Sequence, residues 1–483
     1  MSGDRRRWLA LIVLCLGDLM IVLDGTIVNV ALPSIRANLG FTETGLAWVV
    51  NMYMLTFGGF LLLAGRVGDL FGHRRLFLAG LTVFTCASLA CGLAGSPASL
   101  VAARAVQGLG GAVVSVVALS LIMTLFTEPA QRAKAMGVIG FVIAGGGSIG
   151  VLLGGVLTAL DWHWIFLVNI PIGVAVTVLC LILLPASTGK HRGGRLDVAG
   201  SVTITAALLI AVYAIMDGNH AGWGSTQTIG LLLVAAALLV IFLRIETRAE
   251  SPLIPLGLFR LRSVTTANLV GVLWAAAMFG WFFLSALYLQ RVFGYGPLGV
   301  GLAFLPGNLI IGALSFGLSE RIVLRWGVRS PLITGMVLLA AGLMLFARAP
   351  VGGTYAFDVL PATILLGLGV AVALNPVLLA ATSEVAPSEA GLASGVVNTS
   401  FMMGGALGLA TLASIADARI KGLTAGGIDR LHALTGGYHA AFLVAAGFAA
   451  MAAALAAVLL QRSEKAELSP DAWDELTAPA AVD

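Results

Sequence analysis

Charge is scarce in this chain. Asp, Glu, Lys and Arg make up 10% of its residues, against 59% hydrophobic ones and a mean hydropathy of +1.01. That balance excludes an ordinary soluble domain and a disordered chain, both of which need far more polar surface. Cysteine is scarce as well. Cys15, Cys86, Cys91 and Cys180 all fall in apolar runs, with neither a metal-ligand spacing nor a disulfide framework. No nucleophile–base pair or metal constellation appears, so the sequence offers an enzyme no machinery and calls for no cofactor and no metal. The apolar runs also lack the strict alternation of an outer-membrane barrel.

What the chain has is length of apolar sequence. Fourteen runs, near 8–32, 46–65, 76–95, 99–126, 135–159, 164–184, 198–217, 227–244, 264–290, 298–319, 329–348, 357–380, 391–416 and 438–460, punctuate it. Each approaches the roughly 20 residues a helix needs to cross hydrocarbon. The expected fold class is therefore an all-α integral membrane protein with fourteen transmembrane helices in contact with membrane lipid.

The net charge of +4 does not point to nucleic acid, because its distribution serves another purpose. If the N-terminus and every second loop share one side, that side carries 20 of the 27 Lys and Arg. The opposite side carries six: Arg36, Arg291, Arg348, Arg419, Lys421 and Arg430. Arg104 completes the set. The positive-inside rule then places both termini in the cytoplasm of a cell that holds the protein in its inner (plasma) membrane. Arg5, Arg6 and Arg7 mimic a signal peptide, but the following run is too long and contains Asp18 and Asp24, so it is read as a retained helix.

Glycine and proline between 185 and 197, and Pro252 and Pro255 farther on, divide the spans as six, two and six. The expected organisation is an N-terminal six-helix bundle at 1–187, a linker with two additional helices at 188–250 and a C-terminal six-helix bundle at 251–461. Residues 462–483, rich in acid, Ala and Pro, read as a disordered cytoplasmic tail.

Full charges inside two of the earliest spans are the strongest functional signal. Asp24 lies in the first and Arg104 in the fourth. A charge in hydrocarbon costs several kcal/mol unless it faces a partner or a wet cavity. Burial disfavours an ionised carboxylate and a nearby cation favours it, so motion that joins or separates such a pair could couple protonation to conformation. Arg104 keeps its own charge and can only hold or anchor. The other reading is a static ion pair that fixes the fold. Asp18, a further candidate for proton coupling, is about 240° around the helix from Asp24 and cannot share its face; it lines up with Val22 and Gly25 and could face another polar seam or the mouth of a cavity. Gln107 extends the face of Arg104 at i+3.

Neutral polar groups at membrane depth (Asn29, Asn51, Tyr53, Asn268, Gln290, Asn308, Asn375 and Asn398) could line a substrate cavity or simply join helices. Trp274, Trp281, Phe282 and Phe283 add an aromatic cluster in the ninth span. The fifth span is crowded with glycine: Gly146, Gly150 and Gly154 follow small-xxx-small spacing, with Gly155 beside them, which permits close helix approach. The segment Gly65 to Arg75, with Asp69, Gly72, His73 and Arg74, reads as a short cytoplasmic loop. It could latch two bundles or merely set topology. Asp69 is expected near the start of the third helix, where negative charge is favoured.

Taken in order, these segments resemble the major facilitator superfamily, specifically its fourteen-helix drug:proton antiporter branch. Leu23–Asp24–Gly25–Thr26–Ile27–Val28–Asn29–Val30–Ala31–Leu32–Pro33 resembles the first-helix motif of that branch, and 65–75 the cytoplasmic gating motif. Arg104–Ala105–Val106–Gln107–Gly108–Leu109–Gly110 is similar to the basic motif of helix four, residues 146–155 to the antiporter motif of helix five, and Trp162 to Pro171 to the start of helix six. The resemblance implies alternating access. It assigns proton coupling to Asp24 and Arg104 and a cytoplasmic gate to Asp69, and it puts the two inserted helices beside the central pathway. The chain departs from the pattern at Leu70, His73, Val151, His163 and Phe401–Met402.

The function implied is exchange of external protons for a small amphiphilic substrate, cationic or neutral and largely apolar. A dedicated exporter of one lipid, antibiotic or metabolite, a proton-linked importer, and a non-transporting membrane sensor are the rivals. One bundle pair could enclose its own path, which is compatible with a monomer and leaves the oligomeric state open. The C-terminal spans contain no clearly intramembrane charge, so coupling is expected in the N-terminal bundle.

Overall fold

Helix is the regular structure throughout the computed structural model, which describes residues 3–126, 128–184, 197–249, 252–315, 322, 325–382, 384–385 and 390–460. The elements are α1 (Gly3–Leu39), α2 (Glu43–Phe71), α3 (His73–Gly92), α4 (Pro97–Leu125), α5 (Pro129–Leu160), α6 (Trp164–Leu167), α7 (Asn169–Leu183), α8 (Val198–Ala221), α9 (Thr226–Arg248), α10 (Arg262–Arg291), α11 (Pro297–Ser315), α12 (Arg329–Phe346), α13 (Leu360–Thr382), α14 (Ala390–Ala425) and α15 (Arg430–Leu459). Among the described residues thirteen segments are long and apolar enough to cross a membrane, with Trp164–Leu183 counted as one across α6 and α7, and α5 carries a shorter apolar stretch, Gly145–Leu160. The chain is a multi-pass membrane protein of all-α fold. The boundary near 185–196 and the tail after 461 lie outside the described residues.

Local chemistry sets the ends of these helices. Ser96 and Ser99 form a reciprocal capping box ahead of α4, with Pro97 at its first position. Asp429 caps α15 by accepting from the Leu431 and His432 amides. Side chains such as Leu160, Val458 and Phe357 stay exposed, as expected where the solvent is lipid rather than water.

Glycine governs the closest helix crossings. A Cβ on Gly150 would lie 2.0 Å from Thr26 Oγ1, and one on Gly154 would lie 3.1 Å from the Ile27 backbone, so α5 packs on α1 almost backbone to backbone. The two halves of the chain meet where α5 crosses α11 and α2 crosses α14. At the first crossing Gly155 faces the Leu298 backbone, and a Cβ on Gly301 would lie 2.9 Å from the Val151 carbonyl oxygen. At the second, Gly58 faces Met402. α8 packs against both α2 and α14, tied to α14 by Asn219 donating to the Ser414 carbonyl at 2.6 Å. Gln290 at the end of α10 donates to the Val30 carbonyl of α1 at 2.8 Å. The halves are thus held together on the base-poor face, where α1, α5 and α10 end.

Two expectations need correction. The segment 65–75 is not a loop: α2 continues to Phe71, α3 begins at His73, and Gly72 alone breaks the helix with φ of +93°. The hydrophobic pattern weakens there, but the helical hydrogen bonds do not. Asp69 accordingly sits in the last turn of α2 rather than at the start of α3, a position where the helix dipole disfavours negative charge. In the second half, α14 runs on past the expected end of its span and buries Asp417, whose carboxylate pairs with Lys421 at 2.9 Å.

Candidate functional site

Five helices of the first half converge on one buried ion pair. Asp24 from α1 is 2% exposed and Arg104 from α4 is 1% exposed. Arg104 Nη1 donates to Asp24 Oδ2 at 2.5 Å and to Gln107 Oε1 at 2.6 Å, and Arg104 Nε donates to the Val49 carbonyl of α2 at 2.9 Å. Gln107, one turn along α4, donates from Nε2 to Asp24 Oδ1 at 2.7 Å and to Ser88 Oγ of α3 at 2.9 Å. Asn169, the first residue of α7, donates to the same carboxylate oxygen at 3.1 Å. The Arg104 guanidinium also lies 4.2 Å from the centre of the Tyr53 ring, a cation–π contact.

Every part of this arrangement answers the cost of removing charge from water. A buried ion pair is tolerable only when the opposite charge is close and the remaining lone pairs and N–H groups are engaged. Here both carboxylate oxygens accept hydrogen bonds from neighbouring helices. A proton arriving on Asp24 would cancel the charge that Arg104 faces and change the bonds that α4 and α7 make to α1.

Sequence reasoning named Asp24, Arg104 and Gln107 and the structure brings them together. It did not assign Ser88 or Asn169. Ser88 also donates to the Phe84 carbonyl, as countless buried serines do, so no sequence signal sets it apart. Asn169 lies within the segment 162–171 and is legible in sequence only as an isolated polar residue two positions before Pro171. Asp18 is buried on another face of α1, and no described residue forms a hydrogen bond or ion pair with it. Along its face, a Cβ on Gly25 would meet nothing within 4 Å.

The residues proposed to line a cavity have diverse surroundings. Asn29 and Asn268 turn their amide nitrogens back onto the carbonyls of Gly25 and Val264, at 3.1 and 2.8 Å. Asn51 Nδ2 approaches Met216 Sδ at 3.7 Å. Trp274 packs on Phe401 with ring centres 4.9 Å apart, so the apolar departure at 401 completes an aromatic contact. Asn375 is half-buried and engaged in a contact, and Asn398 is exposed. Among the described residues the Tyr53 hydroxyl, Trp274 Nε1 and Asn308 Nδ2 are buried without a hydrogen-bond partner.

Near the break at Gly72, Gly65 passes Val116 of α4, and Gly68 faces the His73 ring. Arg74 donates to the Leu181 carbonyl at 2.8 Å and Arg66 to the Pro252 carbonyl at 2.6 Å. The side chain of Asp69 lies outside the described residues.

The comparisons with known proteins agree with this architecture. A family profile described as Major Facilitator Superfamily matches residues 14–409. The puromycin resistance protein of Streptomyces alboniger is 40% identical over 472 residues, covering 96% of this chain and 93% of its own. The cephamycin export protein of Amycolatopsis lactamdurans is 39% identical, with 86% of each chain covered. Among solved structures, a bacterial homologue of the human lysosomal transporter Spinster superposes with a TM-score of 0.65 at 17% identity, covering 93% of this chain and 96% of that one. With a profile match over most of its length and relatives that align nearly end to end, the chain belongs to the major facilitator superfamily, among its drug-resistance and efflux transporters.

Proposed function

We propose that this protein exports small, drug-like amphiphiles in exchange for protons by alternating access, and that Asp24 and Arg104 carry the coupling. The observation that supports this most is the engagement of one buried carboxylate by Arg104, Gln107 and Asn169 from separate helices. Substrate and proton would bias the same two-state arrangement of those helices, which is what coupling means thermodynamically. Inward-facing carrier takes substrate from the cytoplasm as Asp24 loses its proton. Reorientation releases substrate outside, and a proton from outside resets the pair. Asp18, buried on another face of α1, is a second acidic group that a proton could reach as the carrier reorients.

The relatives are named for puromycin resistance and cephamycin export, two different compounds, which favours a broad amphiphile class for this chain. The partnerless donors of Tyr53, Trp274 and Asn308 would suit a substrate bearing hydrogen-bond acceptors within an apolar body. The charge asymmetry supports both termini in the cytoplasm, and the six-two-six organisation supports two bundles flanked by α8 and α9, functional as a monomer. The turn at Gly72, with Gly65, Asp69, His73 and Arg74, would then gate the cytoplasmic side.

The test is substrate-driven proton flux in proteoliposomes, with a panel of cationic and neutral amphiphiles and an imposed pH gradient. Opposed fluxes that disappear in folded Asp24→Asn and Arg104→Ala protein are expected. Transport with no proton movement would overturn the coupling, and co-directional flux would make the protein an importer. A dedicated exporter would show no competition among unrelated compounds.

A further inference from the structure

The side chains that touch the Asp24 carboxylate all offer it N–H groups. Oδ2 faces Arg104 Nη1, and Oδ1 receives the amide N–H groups of Gln107 and Asn169. A carboxylate only accepts, but a protonated carboxyl carries one O–H that must donate. Asp24, Ser88, Arg104, Gln107 and Asn169 are none of them more than 2% exposed, and a donor stranded at such depth costs about 1–3 kcal/mol. Taking up a proton therefore creates a need for an acceptor that the ionised state does not have.

Few side-chain acceptors near the carboxylate have a lone pair to spare. Gln107 Oε1 already takes Arg104 Nη1 at 2.6 Å and Cys91 Sγ at 3.6 Å. Ser88 Oγ takes Gln107 Nε2 at 2.9 Å and Asn169 Nδ2 at 3.4 Å, while its own proton goes to the Phe84 carbonyl at 2.8 Å. The Tyr53 hydroxyl lies against Gly111, where a Cβ would come within 3.0 Å of it, about two turns along α4 from Arg104. Asn169 is different. Its Oδ1 is buried and has no hydrogen-bond partner, while its NH2 is already on the carboxylate.

We infer that Asn169 is a positioning residue that reports the charge of Asp24 to α7, donating to the carboxylate and, once its amide has turned over, accepting from the protonated carboxyl. This role rests on Asp24 carrying the coupling, as proposed above. The proton settles on Oδ1, because Oδ2 faces a guanidinium that can only donate. Rotation of the amide about its Cβ–Cγ bond, a soft torsion, then presents Asn169 Oδ1 to the new O–H. One proton is added to Asp24, no other covalent bond changes, and the hydrogen bond between α1 and α7 reverses its polarity. The same rotation withdraws the NH2 group from Ser88, whose own proton is committed to Phe84. At this point α7 thus keeps its hold on α1 and loses its hold on α3. The place suits a moving part: Asn169 opens α7, α6 ends at Leu167 just before it, and Pro171 has no amide to return to the Leu167 carbonyl. One turn on, a Cβ on Gly173 would lie 2.1 Å from Thr85 Oγ1 of α3, so the body of α7 packs tightly where its first turn pivots.

The test takes full-length protein, with asparagine isotope-labelled at its side-chain carbonyl, from alkaline to acid pH under infrared difference spectroscopy. The unsubstituted protein should show a carboxyl band from Asp24 together with a shifted asparagine carbonyl band, and folded Asp24→Asn should show neither. Asn169→Leu, which can neither donate nor accept, should keep the carboxyl band at a different wavenumber and lose the asparagine band. In proteoliposomes, the stimulation of amphiphile flux by an acid outside should fall roughly tenfold in Asn169→Leu, with the loss concentrated at acid pH. An Asp24 carboxyl band unaccompanied by any asparagine signal in the unsubstituted protein would overturn the role of Asn169 and leave the coupling at Asp24 standing. An equal loss of flux at every pH in Asn169→Leu would reduce the residue to a structural one and overturn it likewise. If no Asp24 band appears at all, the coupling reading fails, and this role with it.

Discussion

At the scale of the single residue, the cost of unbalanced charge decides the outcome. Removing one member of a buried ion pair strands the other and costs about 3–5 kcal/mol, whereas replacing both can be nearly neutral. Asp24→Asn alone should therefore destabilise by that order, and Asp24→Asn with Arg104→Gln by clearly less than the sum of the singles. A double-mutant cycle on thermal or denaturant unfolding in detergent checks this. Additive losses would mean that the pair contributes no interaction energy of its own. The acid and base of this pair were legible in sequence because charge in an apolar run has few innocent explanations. Ser88 and Asn169 were not, because a hydroxyl or an amide in a helix is ordinarily satisfied by its own backbone, as Asn29 and Asn268 are here.

Helices obey contact more than composition. Within one glycine-rich stretch of α5, Gly154 abuts the Ile27 backbone while a Cβ on Gly147 would meet nothing within 4 Å. Gly154→Val should separate α5 from α1 and destabilise by about 1–3 kcal/mol. Gly147→Ala should be neutral or stabilise by up to about 1 kcal/mol through helix propensity. Unfolding of the two variants side by side distinguishes a crossing glycine from one that merely sits in the run. A second consequence concerns the start of α15. The His432 and Leu431 amides and the His432 ring hold the Asp429 carboxyl below the usual carboxylate range. A depressed folded value means the cap is fully effective above the unfolded value near pH 4 and is lost as pH falls through the lower folded value. Amide exchange at Leu431 and His432 should rise below about pH 4, and Asp429→Asn should remove that dependence. Hydropathy located the apolar part of α15 but not its first two turns, since the mixed residues 430–437 look like loop until the Asp429 cap is recognised.

For the whole molecule, hydropathy was enough to give the fold class, because lipid admits only helices and closed barrels and the apolar runs lack the alternation of a barrel. Which helices touch could not be read, because in an apolar chain the contacts are chosen by side-chain shape rather than by polarity. The crossings at Gly155 and Gly301, and at Gly58 and Met402, are of that kind. They also locate where the halves part. Gly301→Leu would drive a side chain into the Val151 carbonyl and should hold the base-poor mouth open. Cysteine labels placed at that mouth should then react faster than in the unsubstituted protein, and unchanged labelling would show that the α5–α11 contact does not close it.

The Arg104 bond to the Val49 carbonyl has a mechanical side. Val49 and Arg66 lie on α2, which has no internal proline, and a helix of that span is about 25 Å long. One end of this rod is gripped beside the buried Asp24–Arg104 pair and the other donates to Pro252, in the segment leading to α10. A tilt of about 5° pivoting at Val49 would carry Arg66 about 2 Å, more than a hydrogen bond can stretch and survive. If Asp24 carries the coupling as proposed, the rod would act as a lever arm, relaying a change of grip around that carboxylate to the Arg66–Pro252 bond.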